Sequence, residues 1–255
     1  MQNEQQSAEI ASPVEDVVMP ALHLGCCLAL MADIPDKSID MICCDMPYGT
    51  TNCRWDTVLD LDLMWCHYKR IAKDNAAIIL FAQTPFDKVL GCSNLDWLRY
   101  EIIWQKTNPT GHLNAKKMPM KAHENILVFY KNLPTYNPQK TTGHIRKTAV
   151  KRSDKTPVYG QQSFKPLPYD STDRYPRSVL TLPSDKQTSK LHPTQKPLAL
   201  IEWLIATYSN SGDVVLDNCM GSGTTGLACK NLGRKFIGIE LDQKYFDVAR
   251  CRIAA

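Results

Sequence analysis

A glycine-rich strand-loop-helix-strand unit sits almost at the end of this 255-residue chain, and its position constrains the fold more than any other feature. Asp213 to Asp217 reads as a short buried strand. Gly221, Gly223 and Gly226 then fall at G-x-G-x-x-G spacing, Thr224 to Leu232 reads as a helix with Gly233 as its C-cap, and Lys235 to Glu240 is a second strand closed by an acid. A nicotinamide-binding domain would continue with several more strands. Here only fifteen residues follow Glu240, and they suit one amphipathic helix with Tyr245, Val248, Ala249 and Ile253 at helical spacing. The rest of the sheet must come from earlier sequence, so the order of its parts is permuted.

The earlier sequence supplies the missing strands. Leu22 to Leu30 and Ser38 to Asp45 open the fold, the latter an apolar run closed by a carboxylate and a turn through Met46, Pro47 and Gly49. Leu61 to Ala72 has the apolar spacing of a helix, and Ala76 to Phe81 that of a buried strand. Tyr100 to Trp104 and Asn125 to Tyr130 are two further strand-like runs, suited to an antiparallel sheet end. From Lys131 to Lys190 prolines recur and hydrophobic periodicity fades, which marks a loop-rich insert. Helical order resumes at Pro197. In open α/β sheets ligands bind beyond the carboxyl ends of the strands, so Asp45, Asp217 and Glu240 are expected to converge there.

Composition narrows the class. With 44% hydrophobic residues the chain can bury one good core, and residues 1–255 are read as a single domain carrying the 131–190 insert. The N-terminal residues show no signal-peptide pattern, and the longest apolar run, Ala76 to Ala82, is too short for a bilayer, so a soluble, cytoplasmic protein is expected. Ten cysteines form no C-x-x-C, and six histidines give no H-x-x-x-H pair; reduced structural thiols and no metal are expected. Net charge is +4, but Lys106 to Lys196 holds seventeen Lys and Arg against five acids, +12, leaving −8 for the remainder. A basic segment in an otherwise acidic chain is the footprint of a polyanion.

The Asp45-Met46-Pro47-Tyr48 turn comes first, the basic insert next, and then His192-Pro193-Thr194-Gln195-Lys196-Pro197 and the glycine loop. In that order the chain resembles the amino-methylating DNA methyltransferases of the β group, from Leu22 to the C-terminus. The resemblance implies an α/β fold with a seven-stranded Rossmann-like sheet in permuted order, S-adenosylmethionine as cofactor and double-stranded DNA as substrate. It implies that Asp45 and the main-chain carbonyl of Met46 hold the target amine, and that Pro47 and Tyr48 complete the base site, with Tyr48 stacking on an extruded base. It assigns the cofactor to Asp217, Cys219, Gly221, Ser222, Gly223, Thr224 and Glu240, with Thr194 and Lys196 at the methionine carboxylate. Trp104-Gln105-Lys106 and His123-Glu124-Asn125 also match the family, as landmarks of the sheet end.

Three positions depart from the family pattern: Met46 replaces a proline, Cys219 a frequent phenylalanine, and Cys26 an acid near the cofactor adenine. Lys116, Lys117, Arg146, Lys147, Lys151 and Arg152 are the expected DNA contacts. Asp45, where cytosine enzymes commonly carry serine, leans toward N6 of adenine. N4-cytosine methylation, an RNA or protein-glutamine methyltransferase, an inactive nucleic-acid-binding protein and a nicotinamide oxidoreductase remain as alternatives. A companion restriction nuclease and a homodimer are both compatible with the sequence.

Overall fold

The structure is a computed structural model that describes residues 21–49, 57–149, 155–156, 160–161, 169–185 and 195–254. In chain order its first elements are strand β1 (Ala21–Leu24), helix α1 (Cys27–Leu30), β2 (Ile39–Cys44), α2 (Leu61–Ile71), β3 (Ala72–Ala82) and α3 (Phe86–Cys92). The long strands β4 (Leu98–Thr110) and β5 (Lys121–Phe129) follow, and then short ones: β6 (Lys147–Ala149), β7 (Lys155–Thr156), β8 (Gly160–Gln161), β9 (Tyr169–Ser171) and β10 (Val179–Leu182). The chain closes through α4 (Leu198–Tyr208), β11 (Val214–Asp217), α5 (Thr224–Asn231), β12 (Lys235–Glu240) and α6 (Gln243–Ala254).

One sheet organises the molecule, in the strand order β1-β12-β11-β2-β3-β5-β4-β10. Every neighbouring pair is parallel except those made by β5, which runs antiparallel to both β3 and β4. Six of the strands follow runs expected from the sequence, and the opening Leu22 to Leu30 segment divides between β1 and α1. The eighth, β10, falls inside the loop-rich segment, because four residues between Pro176 and Pro183 carry little periodicity. It pairs in parallel with β4, and Trp104 Nε1 donates to the Leu182 carbonyl at 3.0 Å, so an otherwise open edge is covered. The insert adds two small antiparallel pairs, β6 with β9 and β7 with β8.

Alternation along the central strands divides the core in two. Ile42 and Cys44 of β2, with Ile78 and Leu80 of β3, face Met64, Trp65, Tyr68 and Ile71 of α2. Met41, Cys43, Ile79 and Phe81 point the other way, onto Leu200, Ile201, Leu204 and Ile205 of α4 and the faces of α5 and α6. Helix α2 starts where it does because the Asp60 side chain accepts from the Leu63 N–H at 3.0 Å, and Lys69 and Arg70 favour its C-terminal dipole. Within the described residues no helix is long and apolar enough to cross a membrane.

The glycine motif divides its work between conformation and packing. Gly221 and Gly223 both adopt positive φ, +52° and +75°, which L side chains resist. At Gly223 a Cβ would lie 2.9 Å from Ala249 Cβ, and at Gly226 only 2.3 Å from Ile253 Cδ1 and 2.7 Å from Phe236 Cε1. Gly226 therefore lets α5 lie against α6 and β12. Gly226→Ala should lower stability by about 1–3 kcal/mol, the usual cost of overpacking, measured as a fall in the urea midpoint at unchanged slope.

Candidate active site

Strands β11 and β12 lead outward in one direction and β2 and β3 in the other, so the sheet order reverses between β11 and β2. Such a switch point opens a crevice at the carboxyl ends of the strands. In register, Leu216 pairs with Ile42 across that gap, which brings Asp217 level with Cys43 and close to Asp45. A cavity of about 660 Å³ occupies the crevice, lined by Asp45, Met46, Pro47 and Tyr48 on one side and by Asp217, Cys219, Gly221, Ser222, Thr224 and Glu240 on the other. The three strand-end carboxylates converge as the sequence predicts.

At the first side a buried charge cluster holds the turn after β2. Asp45 Oδ1 accepts from the Tyr48 hydroxyl, and Asp45 Oδ2 lies 2.5 Å from Lys196 Nζ. Lys196 also faces Glu124 Oε2 at 3.2 Å, while Lys106 Nζ meets Glu124 Oε1 at 2.6 Å. The two lysine side chains are only 8% and 6% exposed, yet each is matched by a carboxylate, and the four charges sum to zero. Burial works against the Glu124 charge, but the two ammonium groups outweigh it and hold its carboxyl at about 2. Burial likewise works against the Lys196 ammonium, which Asp45 and Glu124 nevertheless keep protonated. Burial pushes the Asp45 carboxyl above the ordinary aspartate range in spite of Lys196 and Tyr48.

The Tyr48 ring stacks on Phe86 of α3, with centroids 5.3 Å apart and planes 24° from parallel. Lys196 Nζ stands 5.9 Å from the Tyr48 ring centroid and 5.2 Å from that of Phe81. The Met46 side chain is buried in the core, which explains how a methionine is accommodated there. Glu124 Oε2 has an ion-pair contact but no aligned hydrogen bond among the described residues, so it keeps acceptor capacity at the cavity wall.

The second side presents two acids, Asp217 and Glu240. Asp217 Oδ2 accepts from the Thr225 hydroxyl at 2.6 Å and its Oδ1 from the Cys219 N–H at 3.1 Å, so it ties the glycine loop to its strand. Burial pushes its carboxyl up to about 7, against those two hydrogen bonds and a third from the Cys44 thiol. Glu240 accepts the N–H groups of Gly221 and Asp242, both at 2.8 Å, and burial raises its carboxyl too. Both carboxylates line the cavity. Neither acid forms an ion pair among the described residues. Cys219 shares thiol hydrogen bonds with Cys27 and Cys44, and Arg252 donates to the Thr224 hydroxyl at 2.9 Å.

Lys196, expected at a methionine carboxylate, has its ammonium on Asp45 and Glu124. Gly223 does not line the cavity; it abuts α6. Arg146 donates to both oxygens of Asp170 at 2.6 Å, clamping β6 against β9. Lys116, Lys117 and Lys147 are exposed, whereas Thr194, Lys151 and Arg152 lie outside the described residues. Lys106 and Glu124, read as landmarks of the sheet end, are central to the site. Their signal is two opposite charges on neighbouring strands, each close to buried apolar positions.

An open sheet with β5 reversed, a permuted glycine loop and an Asp-x-Pro-Tyr turn at the switch point define an α/β methyltransferase-type protein. The DNA methylase family model matches residues 39–250, and the chain belongs to this N6/N4 methyltransferase family. Among relatives, the Type II methyltransferase M.HinfI of Haemophilus influenzae is 31% identical over 90% of this chain and 67% of its own length. The DNA adenine methyltransferase YhdJ of Escherichia coli K12 is 30% identical over 90% of this chain and 81% of its own. The crystal structure of the M1.HpyAVI–SAM complex superposes with a TM-score of 0.65 at 27% identity, covering 93% of this chain and all of that one. The cytosine-N4-specific PvuII methyltransferase, 16% identical, shares the fold with a TM-score of 0.68, covering 91% of this chain and 85% of its own.

The charge cluster sets a pH dependence. Because the Glu124 carboxyl falls from its ordinary 4.5 to about 2, the stability it contributes is complete above 4.5 and lost as pH falls toward 2. Glu124→Gln should cost on the order of 3 kcal/mol at neutral pH and flatten the acid limb of the stability curve, measured as urea midpoints at pH values above and below that window.

Proposed function

We propose that this protein transfers a methyl group from S-adenosylmethionine to the N6 amine of an adenine extruded from duplex DNA. The observation that carries the reading is that one cavity unites Asp45 and Tyr48 with a second end whose acids, Asp217 and Glu240, form no ion pair among the described residues. A cationic ligand fits that end. Asp217, Cys219, Gly221, Ser222, Thr224 and Glu240 would hold the cofactor, Glu240 by the lone pairs left on its carboxylate. When bound, S-adenosylmethionine supplies an electrophilic methyl group on sulfonium.

An adenine amine is a weak nucleophile because its lone pair is delocalised into the ring. Hydrogen bonds from its two N–H groups to Asp45 and to the Met46 carbonyl favour a pyramidal nitrogen with a localised pair. Asp45 can accept such a bond while retaining Tyr48 and Lys196, since each oxygen has two lone pairs. After transfer the nitrogen carries a surplus proton, and Asp45, made more basic by burial, is placed to receive it. Lys196 orients that carboxylate, and Lys106 and Glu124 keep Lys196 in place. Tyr48, backed by Phe86, offers the ring on which the extruded base stacks. Adenine is favoured by the acid at position 45 and by the similarity to a DNA adenine methyltransferase.

The 131–190 insert is assigned to target recognition, supported by its charge and by its separate small strand pairs. The similarity to a Type II methyltransferase supports a role in restriction-modification, carried out in the cytoplasm where such DNA lies. Mass spectrometry of nucleosides from DNA incubated with the protein and cofactor should show N6-methyladenine. N4-methylcytosine instead, or no product, overturns the assignment.

Asp45→Ala and the isosteric Asp45→Asn should each reduce single-turnover methylation by about 10²-fold or more while cofactor affinity, read by calorimetry, is retained. Near-parent turnover in Asp45→Asn would remove the carboxylate from the chemistry.

Cofactor affinity should also titrate. With the Asp217 carboxyl at about 7, a cationic ligand selects the ionised form, so affinity falls as pH drops below 7 and levels off above it. The fall should approach about tenfold per pH unit, measured by calorimetry between about pH 5.5 and 8.5, and Asp217→Asn should abolish the slope.

A further inference from the structure

The tip of the β4–β5 hairpin is unlike the rest of the surface. Between Gln105, which pairs with His123, and Thr110, which pairs with Lys121, β4 carries extra residues, so the register shifts at the end of the hairpin. Thr110, Gly111, Asn114 and Lys121 line the active-site cavity. Lys121 also donates to Gln83 at 3.0 Å, tying the tip to the end of β3. The tip itself is a knot of turns: Asn114 N–H to the Gly111 carbonyl at 3.0 Å, Ala115 N–H to that of His112 at 3.1 Å, and Lys117 and Met118 N–H to that of Asn114 at 2.8 and 3.0 Å. On this hydrogen-bonded knob Leu113 is 95% exposed, with Met118 at 53%. The exposed Lys116 and Lys117 flank them.

An apolar side chain held out into water by an ordered turn, beside lysines and at the mouth of the site, is shaped for a partner that is apolar inside and anionic outside. A base stack between two phosphate backbones meets that description. We propose that Leu113 is a wedge that enters the duplex and fills the space vacated by the extruded base, while Lys116 and Lys117 hold the adjoining phosphates. The proposal rests on the base extrusion argued above. Apolar wedges stabilise unstacked steps because they replace the stacking surface that the departing base removes. The wedge acts on the cost of opening the pair and not on the methyl transfer itself.

The test separates those two contributions. Duplexes carrying the methylation site, identified by sequencing DNA modified by this protein, are prepared in two forms: one with the target adenine normally paired and one with it opposite an abasic position. The parent must methylate the paired duplex; if it does not, the proposed function fails and not the wedge. Leu113→Ala should slow single-turnover methylation of the paired duplex by roughly tenfold to a hundredfold and recover to within about threefold of the parent on the abasic duplex, where extrusion costs least. Leu113→Phe, which keeps an apolar wedge, should stay near the parent on both. Lys116→Ala with Lys117→Ala should slow both duplexes alike and lower the salt dependence of binding. Equal slowing of both duplexes by Leu113→Ala, or no slowing, overturns the wedge. So does a change in sedimentation mass of the DNA-free protein on Leu113→Ala, which would make the tip a contact with a second copy.

Discussion

The buried cluster of Asp45, Lys196, Glu124 and Lys106 is the interaction on which the rest of the site depends. It joins three parts of the chain that are remote in sequence: the turn after β2, the segment before α4, and the β4–β5 pair. A buried carboxylate alone would have been neutralised by protonation, and a buried lysine by loss of its proton. Here Asp45 and Glu124 keep the Lys196 ammonium protonated, and the two ammonium groups against Glu124 keep its carboxylate ionised. The result is a carboxylate at position 45 that is oriented by its neighbours before any base arrives.

The opposite end of the cavity is arranged on a contrary principle. Among the described residues Asp217 and Glu240 receive neutral donors, the Thr225 hydroxyl, the Cys44 thiol and main-chain N–H groups. Burial therefore raises both carboxyls, whereas the paired Glu124 is lowered. Two kinds of acid thus share one cavity. One is paired within the protein and suited to holding a neutral amine; the other forms no ion pair among the described residues and is suited to a cation.

Much of this was legible in the chain. Apolar runs ended by Asp45, Asp217 and Glu240 gave strands whose carboxylates meet, because a parallel sheet directs all those ends to one side. Helix α2 was readable from the spacing of Met64, Trp65, Tyr68 and Ile71. Other features were hidden. Strand β10 has four residues and exists only because β4 offers an edge. Gly223 reads as a cofactor glycine and Gly226 completes its spacing, yet their neighbours are Ala249, Ile253 and Phe236, and no spacing rule distinguishes a ligand from a helix as the reason for a missing Cβ. Phe86, which backs Tyr48, belongs to a seven-residue helix too short to show periodicity.

By itself, then, the sequence determined the permuted sheet, the location of the crevice and the identity of the turn that enters it. These are local properties, set by residue type and short spacing. Only the tertiary structure decided that Lys196 meets Asp45 across 151 positions of chain, that Glu124 joins it to Lys106, and that Leu113 is presented at the mouth of the cavity. Such pairings depend on strand register and on which helix covers which face. They arise when the two halves of the core pack against the sheet, and nothing within a few residues of either partner encodes them.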